Sequence, residues 1–273
     1  MQMRKNMWGL AVFVSLVIPS FLTAQFKPEE LTMRLRWEGF LKKAKVINAV
    51  AVGEGITKPK KVDLELNGTQ ASGAWKCVSG RHKGFEDEWR YEVAAYRLDK
   101  LLGLGMVPPT VERRLSGRKG SLQLWCDIAM NELERGKEGI EVPEDRLDHF
   151  NKVNSLCRAF DSLIGNIDRT QQNLCYTEDW RIILIDHSRA FRWKRFYVDQ
   201  LIYGKDGMRK RDIVPLPRWF IENIKALNKK NIRENVGEYL KGVEIDGILQ
   251  RRKLILKEVE ELVQERGEEN VLY

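Results

Sequence analysis

The sequence predicts an α+β chain of two lobes, a small antiparallel sheet with one helix followed by a mainly helical lobe. Three observations carry this reading. Residues 46–78 alternate apolar and polar side chains in short runs, the period of half-buried strands. Residues 86–104 change to a helical period. From residue 150 onwards apolar side chains recur at i, i+3 and i+4, with one short hairpin pattern among them.

In the first lobe, strands are expected at 46–52, 62–66 and 71–78, the first two separated by a Gly/Pro/Lys segment and the last two by Asn67-Gly68. Asn-Gly between apolar runs marks a tight hairpin, because both turn positions need positive φ. The helix at 86–104 places Trp89, Val93, Tyr96, Leu101 and Leu104 on one face, and Gly103, Gly105 and Pro108-Pro109 end it. A further strand is expected at 121–125, and the charged stretch 131–145 reads as a connector. The lobes therefore span about 45–130 and 145–273.

In the second lobe Phe150, Val153, Leu156, Cys157, Phe160, Leu163 and Ile164 form a core-facing stripe that stops at Gly165-Asn166. A polar loop, 168–172, follows, and short strands at 173–176 and 181–185 flank a turn. The remainder, 217–265, is helical in pattern, with apolar faces from Trp219, Ile224 and Leu227 and later Ile248, Leu254, Leu256, Val259 and Leu262.

Of the 273 residues 43% are hydrophobic and 32% charged, which excludes a disordered chain. The net charge of +8 favours phosphates, acidic proteins or anionic lipid without choosing among them. Arg4 and Lys5 precede an uncharged run, 7–24, ending in the small residues Thr23 and Ala24. This is the pattern of a signal peptide over 1–24, and its length also suits an N-terminal membrane anchor. Pro19 and the Ala24-Gln25 junction favour cleavage. The rest of the chain is then expected to be exported, whether periplasmic, secreted or in a secretory lumen, and no nucleic acid partner is expected. Cys77, Cys126, Cys157 and Cys175 are widely spaced without a CxxC pair, which argues against a zinc ribbon and leaves disulfide pairing open.

Phosphoryl transfer requires metal ions held by carboxylate and amide oxygens, a lysine on the phosphates and a carboxylate that orients the attacking hydroxyl. Asp168 lies in the loop after the buried helix, Asn173 follows after four intervening residues, and Asp186 ends the second strand of the hairpin. That D-x-x-x-x-N spacing is the spacing of a kinase catalytic loop, and the hairpin brings Asn173 and Asp186 to one end, where both can meet a magnesium ion. Any one of them alone reads as a turn or capping residue. Lys76 in a strand and Glu92 in the next helix fit the pair that grips nucleotide phosphates, although by pattern alone they read as a solvated lysine and a surface glutamate. Gly53-Glu54-Gly55 with Thr57 can form a turn over phosphates but lacks the full G-x-G-x-x-G, and there is no GxxxxGK[ST]. His82, His149 and His187 have no HExxH spacing, with His187 the one beside the candidate site. Ser188 lacks the G-x-S-x-G elbow of a hydrolase.

Four segments carry a resemblance: Glu92-Val93-Ala94-Ala95-Tyr96-Arg97-Leu98-Asp99, Val107-Pro108-Pro109-Thr110-Val111, Phe160-Asp161-Ser162-Leu163-Ile164-Gly165-Asn166-Ile167-Asp168-Arg169, and Ile185-Asp186. In this order they resemble the secretory-pathway kinases that phosphorylate casein and other extracellular proteins (family with sequence similarity twenty), and more distantly the HipA toxin kinases and phosphatidylinositol kinases. The likeness runs from about Gly53 to Phe191 and leaves the C-terminal helices unmatched. It implies a two-lobed protein-kinase-like fold that binds ATP with Mg or Mn. Asp168 would be catalytic and Asp186 metal-binding, with Lys76 on the phosphates and Glu92 positioning that lysine or binding metal. Asn173 follows the HipA and lipid-kinase form. Two departures stand out: Thr170 occupies the place of the histidine in Asp-Arg-His, and Asp186-His187-Ser188 replaces Asp-Phe-Gly. The loop that positions Asp168 is therefore expected to be held differently.

The expected activity is ATP-dependent phosphorylation of a hydroxyl on an exported protein, a sugar or a lipid. Two other readings stay open. One is an exported pseudokinase that binds nucleotide and acts as a scaffold. The other is a basic binding protein for anionic glycan or lipid, using the segment from Arg192 to Arg211, where seven Arg and Lys side chains are interleaved with Trp193, Phe196, Tyr197 and Tyr203.

Overall fold

The computed structural model describes residues 26–53, 59–82 and 84–273. The expected leader at 1–24 and Gly55 with Thr57 lie outside the described residues. Two short helices, α1 (Pro28–Thr32) and α2 (Arg34–Lys43), precede the first lobe. Its strands are β1 (Lys45–Ala51), β2 (Lys60–Leu66), β3 (Thr69–Lys76), β4 (Ser79–His82) and β5 (Phe85–Glu88). Helix α3 (Arg90–Leu102) and strands β6 (Thr110–Leu115) and β7 (Arg118–Leu124) complete the lobe. The main sheet is antiparallel, in the order β1-β2-β3-β7-β6, and β4 pairs only with β5. Asn67 and Gly68 close β2 onto β3 at φ of +51° and +79°, as the dipeptide requires.

One face of this sheet buries Val62, Leu64, Trp75, Val111 and Leu122 against Phe40 and Leu41 of α2. Each large apolar side chain so buried contributes about 1.5–3 kcal/mol of transfer free energy. Helix α3 is buried along nearly its whole length and joins the core of the second lobe through Tyr91, Val93, Leu98 and Leu102. Gly103, at φ +72°, turns the chain out of the helix. Fully buried Asp99 then secures the turn: it accepts the backbone N–H groups of Gly105 (3.2 Å), Met106 (2.7 Å) and Val107 (3.0 Å) and pairs with Arg34 at 2.8 Å. Burial nevertheless pushes its pKa above the usual aspartate value.

The second lobe comprises β8 (Met130–Asn131), α4 (Glu132–Glu138), α5 (Glu144–Ile164), β9 (Leu174–Tyr176) and β10 (Ile182–Leu184), with the small sheet ordered β10-β9-β8. Short pieces α6 (Arg195–Val198), β11 (Tyr203–Gly204) and β12 (Arg209–Lys210) lead to α7 (Arg218–Ala226), α8 (Lys229–Val236) and α9 (Gly242–Arg266). Helix α5 carries the expected core stripe, packs on α9, and its core is continuous with that of α3. The architecture is two-lobed and kinase-like.

Two local expectations need correction. The helix anticipated from residue 86 begins at Arg90, because residues 85–88 pair with β4 as a strand. The supposed connector at 131–145 contains α4, which starts with a capping box between Asn131 and Glu134. None of the four cysteines is in a disulfide, and among the described residues no helix is long and apolar enough to cross a membrane.

Candidate active site

Lys76 ends β3, where the register sets Lys60 opposite Trp75 and Ser121 opposite Lys76. The end of β1, with Gly53 just beyond it, and the start of β2 therefore lie at the same end of the sheet. Gly120 permits this packing, since a Cβ there would collide with the backbone carbonyl of Lys76. Because α3 starts at Arg90, Glu92 falls in its first turn and its Oε1 lies 2.7 Å from Lys76 Nζ. The other oxygen, Oε2, accepts the backbone N–H of His187 at 3.0 Å.

Asp186 lies one residue beyond the end of β10, after Ile185, and adopts φ +57°, an uncommon conformation for a residue with a side chain. Its Oδ1 lies 2.9 Å from Lys76 Nζ, so one ammonium joins two carboxylates drawn from α3 and from the end of β10. Burial opposes the lysine's charge, but Asp186 and Glu92 outweigh it and hold the pKa above the usual range. Burial would likewise raise Glu92, yet the Lys76 charge, together with the His187 side chain, holds it well below the usual value.

The loop that carries Asp168 is fastened from behind. Helix α5 ends at Gly165 with φ +62°, and Asp161, fully buried one turn earlier, accepts Arg169 Nε at 2.9 Å and Nη2 at 3.0 Å as well as Asn166 Nδ2 at 2.8 Å. Arg169 Nη1 donates to the carbonyls of Asn173 (2.8 Å) and Ile185 (2.7 Å), tying the loop to both strands of the hairpin. Its Nη2 lies 3.0 Å from His187 Nε2; a guanidinium only donates, so this ring nitrogen accepts and Nδ1 carries the proton, 3.7 Å from Glu92. His187 thus contacts the Asp168 loop through Arg169. Thr170, by contrast, is exposed and linked to Asp168 and Asn173 by backbone bonds.

Asp168 points towards the same cleft. Its Oδ2 meets Arg189 Nη1 at 3.1 Å, while Oδ1 has no hydrogen-bond partner among the described residues. Burial raises its pKa, the charges of Asp186 and Asp87 add to the rise, and Arg189 opposes it. A chain of contacts joins it to Asp186: Arg189 binds Asp87, Ser188 Oγ reaches Asp87 at 3.1 Å, and the same hydroxyl lies 3.2 Å from Asp186. The Asn173 amide donates to the Asp168 carbonyl at 3.3 Å, which leaves its Oδ1 available.

Lys76, Glu92, Asp168, Asn173 and Asp186 are therefore brought together, while Gly53 (φ +63°) is exposed and touches none of them directly. Sequence reasoning assigned no role to Asp87, Asp161, Arg169 or Arg189. Asp161, Asn166 and Arg169 do have a local signal, since they sit at the end of a helix and in the loop after it. Asp87 and Arg189 have none, because they meet across 102 positions of chain. Among the described residues no group of three or more His, Cys, Asp or Glu side chains forms a metal site by itself. Asp168, Asp186 and Asn173 are nonetheless hard oxygen donors of the kind Mg or Mn takes, and nucleotide phosphates commonly complete such a set.

Beside the loop lies a cavity of about 900 Å³ lined by Arg158, Thr170, Gln171, Arg209, Lys210 and Arg211 among others. Arg209 bonds the carbonyls of Ile167 and Arg169, on either side of Asp168.

No protein-family model and no curated relative matches the sequence. By fold the chain is similar to a Fam20 protein from hydra solved with sugar, at a TM-score of 0.64 and 15% identity over 92% of this chain and 95% of that one. It is also similar to the Golgi casein kinase, at TM-score 0.59 and 12% identity over 91% and 79% of the two chains. The same kinase with Mn/ADP bound gives TM-score 0.59 and 13% identity over 91% and 80%. The likeness establishes the kinase-like fold and agrees with the family resemblance read from the motifs.

Proposed function

We propose that this chain is an ATP-dependent phosphotransferase of the atypical secretory-kinase type, acting on a hydroxyl of an exported protein, a sugar or a lipid. The observation that carries the reading is Lys76 bridging Glu92 and Asp186 beside Asp168. An ammonium has three donors. Two are directed at the carboxylates, and the third is free for a phosphate oxygen.

In this reading Asp168 Oδ1 receives the acceptor hydroxyl, and the environment that raises its pKa suits it to take up a proton. Asp186 and the Asn173 amide would hold Mg or Mn, which when bound offsets the charge of the phosphates. Gly53, at the same end of the sheet as Lys76, would lie on the phosphate side. Thr170 does not weaken this assignment, because the loop is secured through Arg169 and does not depend on a histidine at position 170. Arg158, Lys210 and Arg211 line the neighbouring cavity without an ion-pair partner among the described residues, which favours an acidic acceptor. The Golgi casein kinase with Mn/ADP supports the choice of nucleotide and metal by analogy of fold. The leader pattern supports export.

The test is thermal melting with and without Mn/ADP, followed by labelled ATP with a preparation of exported proteins. A metal-dependent rise in Tm and label transfer that disappears in Asp168→Asn are expected. Binding without Asp168-dependent transfer would favour the pseudokinase, and no binding would favour the anion-binding protein.

A further inference from the structure

Among the described residues Arg189 is the one cation in contact with Asp168, and its surroundings leave it little freedom. Nε and Nη2 grip the two oxygens of buried Asp87 at 2.9 and 3.3 Å, Nη1 takes Asp168 Oδ2 at 3.1 Å, and the guanidinium lies 5.0 Å from the centre of the Phe85 ring. Asp87 and Phe85 belong to the β4–β5 hairpin, which is inserted between Lys76 and Glu92. Two bonds fix that hairpin against the segment after Asp186: the Glu88 backbone N–H donates to the Ser188 carbonyl at 3.0 Å, and the Arg192 guanidinium donates through Nη2 to the Glu86 carbonyl at 2.7 Å.

We propose that Arg189, held by Asp87, is the positioning residue of Asp168, fixing Oδ2 so that Oδ1 alone faces the acceptor hydroxyl. The inference rests on the kinase reading and deepens it. Charge makes the role necessary. Asp87, Glu92, Asp168 and Asp186 supply four carboxylates, and the contacts to them that carry full charge come from Lys76 and Arg189. Lys76 is engaged by Glu92 and Asp186, so before a metal binds, and without Arg189, no fully charged contact opposes the repulsion that would swing Asp168 away. A forked guanidinium can bind both oxygens of Asp87 and still reach Asp168, which a single ammonium cannot do. The hairpin is thereby part of the catalytic apparatus.

The test uses the full chain and Mn-ATP hydrolysis, with water as acceptor, comparing Arg189→Gln, Arg189→Lys, Asp87→Asn and the double variant Asp87→Asn/Arg189→Gln. Arg189→Gln is expected to lower kcat about 30- to 100-fold, the size of effect that misplacement of a reacting group produces. The KM for ATP and the Mn/ADP melting shift should stay within about twofold, because Lys76 keeps its partners. Arg189→Lys should recover part of the lost kcat, and the double variant should be no slower than Arg189→Gln alone, since the two residues act as one unit. Should the wild type turn over while Arg189→Gln keeps its kcat, or loses only ATP affinity, the inference is overturned and the kinase reading survives. Multiplying effects in the double variant would also overturn it. A wild type that neither binds Mn/ADP nor hydrolyses ATP removes the kinase reading itself, and this inference with it.

Discussion

Arg169 and Arg189 flank the same aspartate, yet one lies buried behind the loop and reaches partners 4 to 18 positions away, while the other lies at the cleft and reaches partners 21 and 102 positions away. Arg169 therefore makes the shape of the loop a property of the second lobe. Arg189 makes the direction of the Asp168 carboxylate depend on the first lobe. One arrangement gives a frame at low cost in chain entropy, and the other makes the site depend on contact between the two lobes.

That contrast can be broken from the frame side first. Arg169→Met leaves Asp161 buried and unpaired, and loss of one partner of a buried pair costs about 3–5 kcal/mol. Urea unfolding should show a loss of that size, with a much smaller one for Arg189→Gln, because Asp87 keeps its bond from Ser188 and the Asp168 carboxylate is partly open to water. Equal losses would mean that the two arginines do the same work.

Next in size is Asp168→Asn, expected to lower phosphoryl transfer at least about a hundredfold, equivalent to roughly 2.7 kcal/mol, by analogy with other groups that stabilise transition-state charge. Its melting temperature should change little. A residual rate above a tenth of wild type would deny Asp168 the catalytic role.

Gly120→Ala sharpens the view from the first lobe. Its methyl group would press on the Lys76 carbonyl and the Trp75 ring, costing about 1–3 kcal/mol as overpacking does and shifting the end of β3. ATP affinity should fall with stability in this variant, whereas Arg189→Gln should spare it.

The gentlest probe is pH. Glu92 has a pKa below the unfolded value, so its contribution to stability is present above about pH 4.5 and is lost as the pH falls towards the folded pKa. The unfolded chain takes up one more proton in that window, a slope of at most about 1.4 kcal/mol per pH unit. Glu92→Gln should flatten the acid limb of a stability–pH curve. An unchanged limb would show that the Lys76–Glu92 contact contributes nothing to folding.

Much of the frame was readable from local pattern. The Asn67-Gly68 hairpin, the stripe on α5, the loop after Gly165 and the hairpin that follows all come from periodicity and turn chemistry over a few residues. Asp168 and Asn173 were singled out because their spacing is that of a kinase catalytic loop, and Asp186 because the short hairpin returns it to the same end. The β4–β5 hairpin escaped because Trp89, Val93 and Tyr96 announce a helix whose first turn is not marked by a capping side chain. Likewise the pattern at Lys76 and Glu92 was compatible with solvent, and only the packing of α3 on the sheet, through β6 and the β7 strand beside β3, turned them into a buried pair.

By itself the sequence determined the succession of strands and helices, the two-lobed class and the residues able to carry phosphoryl chemistry, because propensity, periodicity and spacing act over one or two turns of chain. The tertiary structure alone decided which charges meet. Asp87 and Arg189 interact through space over a few ångströms, and their separation along the chain leaves no periodic trace from which that contact could be read.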